Sequence, residues 1–283
     1  MKSTRQATPP RFAYTLVEAL VVFAVMLTIL GLALVSVQAA REKSNRVTCQ
    51  AQMANLVLAV HLHHDAKKTM PPYASGKGSE IYGSWFVHLL PYMGYLDSYD
   101  KLTKGQHTTS SGFQLIGSGH AAVHGIVFRE LRCASDPSHG SSLNPRTNYL
   151  ANWYAFSDSQ KGAYRPAQSF HDLADGLSNV VLFAEGYGDC AKLPRLAMQS
   201  YPYHNFGITQ TGLPSDDPSL APDDYTMFQI KPSECDKLRT QTAHSAMPVA
   251  LADGTSRFIE AAITVETWKR ILKPRDGNPD HDW

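Results

Sequence analysis

ALVVFAVMLTILGLALVSVQAA, Ala19 to Ala40, is the stretch on which the reading of this chain turns. It runs for 22 residues without a charge. As a helix it is roughly 33 Å long, against roughly 30 Å for the hydrocarbon core of a bilayer. Lys2, Arg5 and Arg11 precede it, and no acidic residue stands among them. Positive charge ahead of an apolar span holds that end in the cytoplasm, so the residues beyond Gln38 are expected outside it. A plain single-pass anchor and a secretory signal peptide are the simpler readings. A signal peptide has an apolar region of only about 7–15 residues, although Val37-Gln38-Ala39 offers small residues at a cut.

The residues just upstream add a more specific signal. Ala13-Tyr14-Thr15-Leu16-Val17-Glu18 sets a small residue before an aromatic and puts a carboxylate five places after Ala13. A carboxylate at the edge of an apolar helix is costly unless it is paired. Cleavage after Ala13 would free an amine at Tyr14. In a bundle of such helices, Glu18 of one subunit would then pair with the terminal amine of the next. The pattern resembles the type IV prepilin cleavage and methylation signal, in which Gly usually precedes the cut and Phe follows it. Thr15, Leu16 and Glu18 match that signal. Ala13 and Tyr14 are the departures from it.

Helical spacing continues past the apolar segment. Met53, Leu56, Val57 and Val60 fall at i, i+3, i+4 and i+7, on one face. No Gly or Pro interrupts from Leu32 to Pro71-Pro72. The spacing predicts one helix from about Tyr14 to about Lys67, with its first half in the membrane and the apolar face of its second half on a sheet. Beyond Pro71 the chain is rich in Gly, Ser, Tyr and His. Residues 84–92 read as a short buried helix, 103–120 as a surface loop and 180–184 as a buried strand. Pro248–Ala252 and Ser256–Ile259 flank Asp253-Gly254 and read as a β-hairpin with a type I′ turn. Ile263 to Leu272 fits a short helix capped by Thr264. The last ten residues are expected to fray. The fold class expected is α+β: one long N-terminal helix on a predominantly antiparallel sheet.

Composition narrows the function. The chain has 283 residues, 43% apolar and 18% charged, with a net charge of +1. Such a chain folds, and it carries no basic excess for nucleic acid. It contains no P-loop, no Gly-x-Ser-x-Gly, no His-Glu-x-x-His and no Cys-x-x-Cys.

An ordered set of short pieces then carries a resemblance over nearly the whole chain. The set begins with Val37-Gln38-Ala39-Ala40-Arg41-Glu42, Cys49, Leu58-Ala59-Val60-His61, His64-Asp65 and Pro71-Pro72. It continues with Leu131-Arg132-Cys133-Ala134-Ser135-Asp136-Pro137, Thr147-Asn148-Tyr149, Asp175-Gly176-Leu177-Ser178-Asn179 and Glu185-Gly186. His244, Asp253-Gly254 and Thr267-Trp268-Lys269-Arg270 close it. The chain resembles bacterial proteins that join a prepilin-type N-terminus to the domain of unknown function 1559. Their C-terminal signature is His, nine residues, Asp-Gly, whereas eight residues separate His244 from Asp253 here. Residues 197–240 fit the pattern poorly and read as an insertion. The resemblance implies a pilin-like head and no reaction. The organisation expected is a leader at 1–13, an assembly helix at 14–40, its extracytoplasmic half at 41–69 and a head at 70–283.

Three groups of residues invite chemistry. His61, His64 and Asp65 share a helix face and would suit a divalent metal such as zinc, although histidines near a helix C-terminus also cap its last carbonyls. Asp216, Asp217, Asp223 and Asp224 form an oxygen-rich loop that would suit calcium, without the ligand spacing of an EF-hand. A solvated loop is the plainer reading, and no cofactor is expected. The four cysteines allow three pairings. In an oxidising compartment Cys49 with Cys133 would tie the helix to the head, and Cys190 with Cys235 would close the insertion, much as pilins staple a C-terminal loop; buried free thiols are the alternative. Asp175-Gly176 and Asp253-Gly254 read as turns rather than as a catalytic carboxylate pair.

The reading is therefore a non-enzymatic type IV pilin- or pseudopilin-like subunit, single-pass in the inner membrane. Its head would be periplasmic or on the cell surface. The expected partners are a prepilin peptidase and methylase and like or related pilin subunits, in a filament or a type II secretion-like assembly. The alternative is a membrane-tethered domain that binds a solute or polysaccharide and does not polymerise.

Overall fold

Residues of good helix propensity, unbroken by proline, carry the chain into one continuous helix, α1 (Leu16–Lys67), of 52 residues. The computed structural model describes residues 15–75, 83–104, 126–138, 145–156, 169–191, 193–195, 197, 227–236 and 239–277. Ala13 and Tyr14, the aspartates at 216, 217, 223 and 224, and most of the expected insertion lie outside them.

Thr15 and Glu18 start α1 with a capping box. Glu18 accepts from the Thr15 amide at 2.8 Å and from its hydroxyl at 2.9 Å, and the Glu18 amide donates back to Thr15 Oγ1. The chain divides into two compact units, Met1–Ser44 and Asn45–Trp283. In the first, every side chain from Leu16 to Ala40 is exposed. That stretch is long and apolar enough to cross a membrane.

In the second unit, Met53, Leu56, Val57 and Val60 are all buried, as their spacing predicts. α1 ends at Lys67 with Lys68 in the left-handed region, three residues before Pro71. β1 (Ala74–Ser75) pairs antiparallel with β2 (Gly83–Ser84). α2 (Trp85–Leu89) follows and tightens into a 3-10 turn over Leu90–Met93, forming the short buried helical segment expected there. α3 (Leu96–Lys104) was not anticipated, and its last two residues correct the loop expected to begin at 103. The rest of that loop, 105–120, lies outside the described residues.

β3 (Tyr149–Ala151), α4 (Trp153–Phe156) and β4 (Val181–Glu185) come next. Two short pairs follow: β5 (Asp189–Cys190) with β6 (Leu193–Pro194), and β7 (Met227–Phe228) parallel to β8 (Gln241–Thr242). β9 (Ala246–Leu251), β10 (Ser256–Glu260) and α5 (Val265–Leu272) complete the order. The main sheet is antiparallel throughout, in the order β10-β9-β4-β3. The architecture is α+β with a single long helix.

β4 and β9 are buried along their whole length because both faces are covered. Leu182, Phe183 and Ala250 join Met53, Leu56, Val57 and Val60 in one core. Val181, Met247, Val249 and Leu251 join Trp268, Ile271 and Leu272 of α5 in the other. Each large apolar side chain buried this way contributes about 2 kcal/mol. Polar bonds fix the register of α1 on the head. Gln50 Nε2 donates to the Ser256 carbonyl at 3.0 Å, Gln52 Nε2 to the Arg129 carbonyl at 2.9 Å, and His61 Nε2 to the Ala252 carbonyl at 2.9 Å.

Two local expectations are corrected. The β9–β10 hairpin forms, but its turn is not type I′. Gly254 has φ +92° while Asp253 stays at negative φ, and a four-residue loop separates Leu251 from Ser256. The Ala252 and Asp253 amides are held by the carbonyls of Val180 and Leu177, which draws the loop away from a two-residue turn. Residues 274–277 are not frayed. Asp175 accepts from the amides of Asp276 at 3.1 Å and Gly277 at 3.0 Å, and the Asp175 amide donates to the Pro274 carbonyl. α5 starts as expected, with the Thr264 hydroxyl accepting from the Thr267 amide at 3.1 Å.

Candidate functional site

Four polar residues from separate family pieces converge on one buried point. Cys49 comes from α1, Cys133 from the turn after Arg129–Leu131, Glu185 from the end of β4, and His244 from the bend before β9. All four are buried, and one ligating atom from each lies within 4.8 Å of the others. The Cys49 and Cys133 sulfurs are 2.7 Å apart. Cys133 Sγ is 3.3 Å from His244 Nε2, and that nitrogen is 3.7 Å from Glu185 Oε1.

A second layer fixes these groups. Thr242 Oγ1 donates to Glu185 Oε2 and accepts from the His244 amide at 3.0 Å. The Cys133 amide donates to Asn148 Oδ1 at 3.0 Å. Asn148 Nδ2 in turn donates to the Gly186 carbonyl at 2.9 Å and to Asp136 Oδ2 at 2.5 Å. Asp136 Oδ2 also accepts from the Gly188 amide at 2.8 Å. A Cβ at Gly186 would stand 2.9 Å from Leu150 Cδ1 and 3.3 Å from Arg195 Cζ, so those side chains would have to shift. Thus Cys133 and Asp136, Asn148, and Glu185 and Gly186 belong to one assembly although the sequence scatters them.

The electrostatics follow from burial and proximity. Desolvation pushes the Glu185 carboxyl up to about 7, and the nearby His244 opposes the rise. The Cys49 thiol is pulled down to about 5, chiefly by its hydrogen bond with Cys133, with His244 adding to the effect against burial. Cys133 moves upward, through the same bond and through its own burial. The arrangement offers two sulfurs, an imidazole nitrogen and a carboxylate oxygen in a dry setting.

The other predicted site residues fare differently. Cys190 and Cys235 form a disulfide with Cα atoms 5.5 Å apart. Cys49 and Cys133 are brought together as that pairing scheme requires, but as two thiols. His61, His64 and Asp65 do not converge. His61 bonds the Ala252 carbonyl and stacks on Phe170 at 4.3 Å, His64 leans on the same ring, and Asp65 is exposed. The capping expected of these histidines is not what they do, although neighbouring His63 Nδ1 does reach the Thr69 carbonyl at 3.0 Å. Glu18 is held by Thr15 within the chain. Asp253 accepts from the Thr255 amide and hydroxyl, which is the turn role expected. His244, the signature histidine, belongs to the buried cluster. Sequence reasoning missed Glu185 and the grouping as a whole. The available signal was that Cys49, Cys133, Glu185 and His244 each sit in a separate piece of the family pattern.

Residues 38–266 match the family described as a protein of unknown function, DUF1559. The match spans most of the chain, which therefore belongs to that family. No curated protein matches the chain, and no solved structure does.

Proposed function

We propose that this member of the DUF1559 family is a pilin- or pseudopilin-like structural subunit, anchored in the inner membrane with its head outside the cytoplasm. The observation that carries the reading is the exposed, charge-free run Ala19–Ala40 on α1, starting directly after Glu18. A soluble domain gains nothing from 22 consecutive uncharged residues with no buried side chain among them. A lipid bilayer or a bundle of like helices covers such a surface. Lys2, Arg5 and Arg11 set the orientation. The Cys190–Cys235 disulfide suits an oxidising compartment.

A prepilin peptidase would cut after Ala13 and a methylase would modify the new amine at Tyr14. Glu18 would then exchange its bonds to Thr15 for the terminal amine of a neighbouring subunit. Intact mass and N-terminal sequencing of the protein from its native membrane test this directly. A chain beginning at Tyr14 with a methylated amine is the expected result. A chain beginning at Met1, or cut near Ala39, reduces the N-terminus to an anchor or an export signal.

The second reading, a tethered binding module, draws on one feature of the head. A half-open groove of about 440 Å³ lies between β10 and the start of α5, lined by Phe258, Ile259, Glu260, Ile263, Thr264 and Thr267. Apolar and hydroxyl groups together suit a sugar or a small solute. Glu18→Ala separates the two readings. Loss of assembly with a folded head favours the subunit, and an unchanged protein favours the tether.

A further inference from the structure

We propose that Cys49, Cys133, Glu185 and His244 form a closed, four-coordinate site for a divalent cation of the zinc class. The donor set argues for that class. Two thiolates and an imidazole are soft or borderline ligands, which suit zinc and exclude calcium and magnesium as the resident ion. The cluster is the one group of three or more histidine, cysteine or acidic side chains among the described residues placed to hold a metal.

A disulfide would employ only two of the four groups. Glu185 is buried to 2% exposure, and its Oε1 has no hydrogen-bond partner. Thr242 occupies Oε2 alone and leaves Oε1 turned toward the sulfurs and His244. Closing a sulfur–sulfur bond would leave that buried oxygen with His244 Nε2, 3.7 Å away, as its remaining polar neighbour. A cation gives all four donors a partner and offsets the negative charge of a carboxylate and two thiolates. The Thr242–Glu185 and Asn148–Cys133 bonds supply the outer contacts that orient metal ligands. Zinc–sulfur bonds of about 2.3 Å in a tetrahedron place two sulfurs roughly 3.8 Å apart. The 2.7 Å contact between Cys49 and Cys133 therefore opens on loading.

With four protein ligands and no exposed face, the site holds structure and performs no hydrolysis. It joins α1 to three other parts of the chain, with Cys49 and Cys133 84 residues apart and Cys133 and His244 111 apart. Binding of the ion is then coupled to folding of the head. This inference stands whether or not the chain polymerises.

The test uses the full chain in detergent, purified without chelator and then given zinc chloride, with elemental analysis and native mass spectrometry. One zinc per chain is expected, with Cys49 and Cys133 open to alkylation after denaturation and the Cys190–Cys235 bond intact. Cobalt in place of zinc should give a thiolate-to-metal charge-transfer band that weakens in Cys49→Ser and in Cys133→Ser and vanishes in the double variant. His244→Ala should lose the metal, whereas His244→Cys, which keeps a soft ligand, should retain it. That pair guards against a variant that merely fails to fold. A wild-type chain that binds no zinc, with its two thiols either free or joined in a second disulfide, overturns the proposal.

Discussion

The two halves of α1 obey the same local rules and meet opposite surroundings. From Leu16 to Ala40 all side chains are exposed; from Met53 to Val60 one face is completely buried. Backbone bonding is alike in both. The pattern of side chains makes the difference. Apolar residues all round a helix demand an apolar solvent, while apolar residues on one stripe demand a protein surface. Helix continuity is thus a local matter, and the environment of each half is a matter of pattern.

The strongest way to break that contrast is to charge the stripe. Leu56→Asp buries an unpaired carboxylate under the sheet and should cost more than about 4 kcal/mol. The head would lose its cooperative unfolding transition in denaturant. Leu27→Arg, in the first half, should leave that transition in place. Its cost, about 3 kcal/mol, falls instead on membrane insertion and is read by fractionation and carbonate extraction. If Leu27→Arg unfolded the head, the two halves would not be independent.

A smaller effect comes from the far end of the stripe. His63 packs edge-on to Tyr92 at 5.5 Å and to His88 at 6.4 Å. Burial, with help from His63 and Lys67, holds the His88 imidazole down to about 3, and burial also lowers His63. An unfolded chain takes up these protons near pH 6.5, and the native ring refuses them until about pH 3. The stability that depends on a neutral His88 is therefore complete above pH 6.5 and declines as the pH falls toward 3. The slope reaches about 1.4 kcal/mol per pH unit for one such group. Denaturation curves of wild type and His88→Gln should diverge as the pH is lowered, with the wild type losing more. Parallel curves would remove His88 from the account.

The smallest effects are at the caps. Thr264→Ala removes the hydroxyl that bonds the Thr267 amide and should lower head stability by about 1 kcal/mol. Thr15→Ala removes the same kind of cap from the N-terminal end of α1. It should leave head unfolding within about 0.5 kcal/mol of wild type.

Much of this contrast was legible in the sequence because it is periodic. The positions of Met53, Leu56, Val57 and Val60 give the buried face, and Thr264 gives the start of α5. The hairpin was legible, but its turn was not, because amides from Ala252 and Asp253 are claimed by Val180 and Leu177 across the fold. α3 escaped notice because Leu96–Lys104 is short and mostly polar. The buried cluster was legible only in pieces. Pairing Cys49 with Cys133 was one of the three schemes four cysteines allow, but Glu185 and His244 share no local spacing with them. Only the folding of β4 against β9 brings those side chains together.

The bonds from α1 to the head have a mechanical consequence. Gln50, Gln52 and His61 are strung over about 16 Å of helix, and each donates to a different segment: β10, the turn at Arg129 and the β9–β10 loop. A pull directed along the helix axis meets these bonds side by side and shares tension among them, whereas a sideways peel would meet them one after another. The head would therefore stay on the helix longest when the force runs along the helix axis.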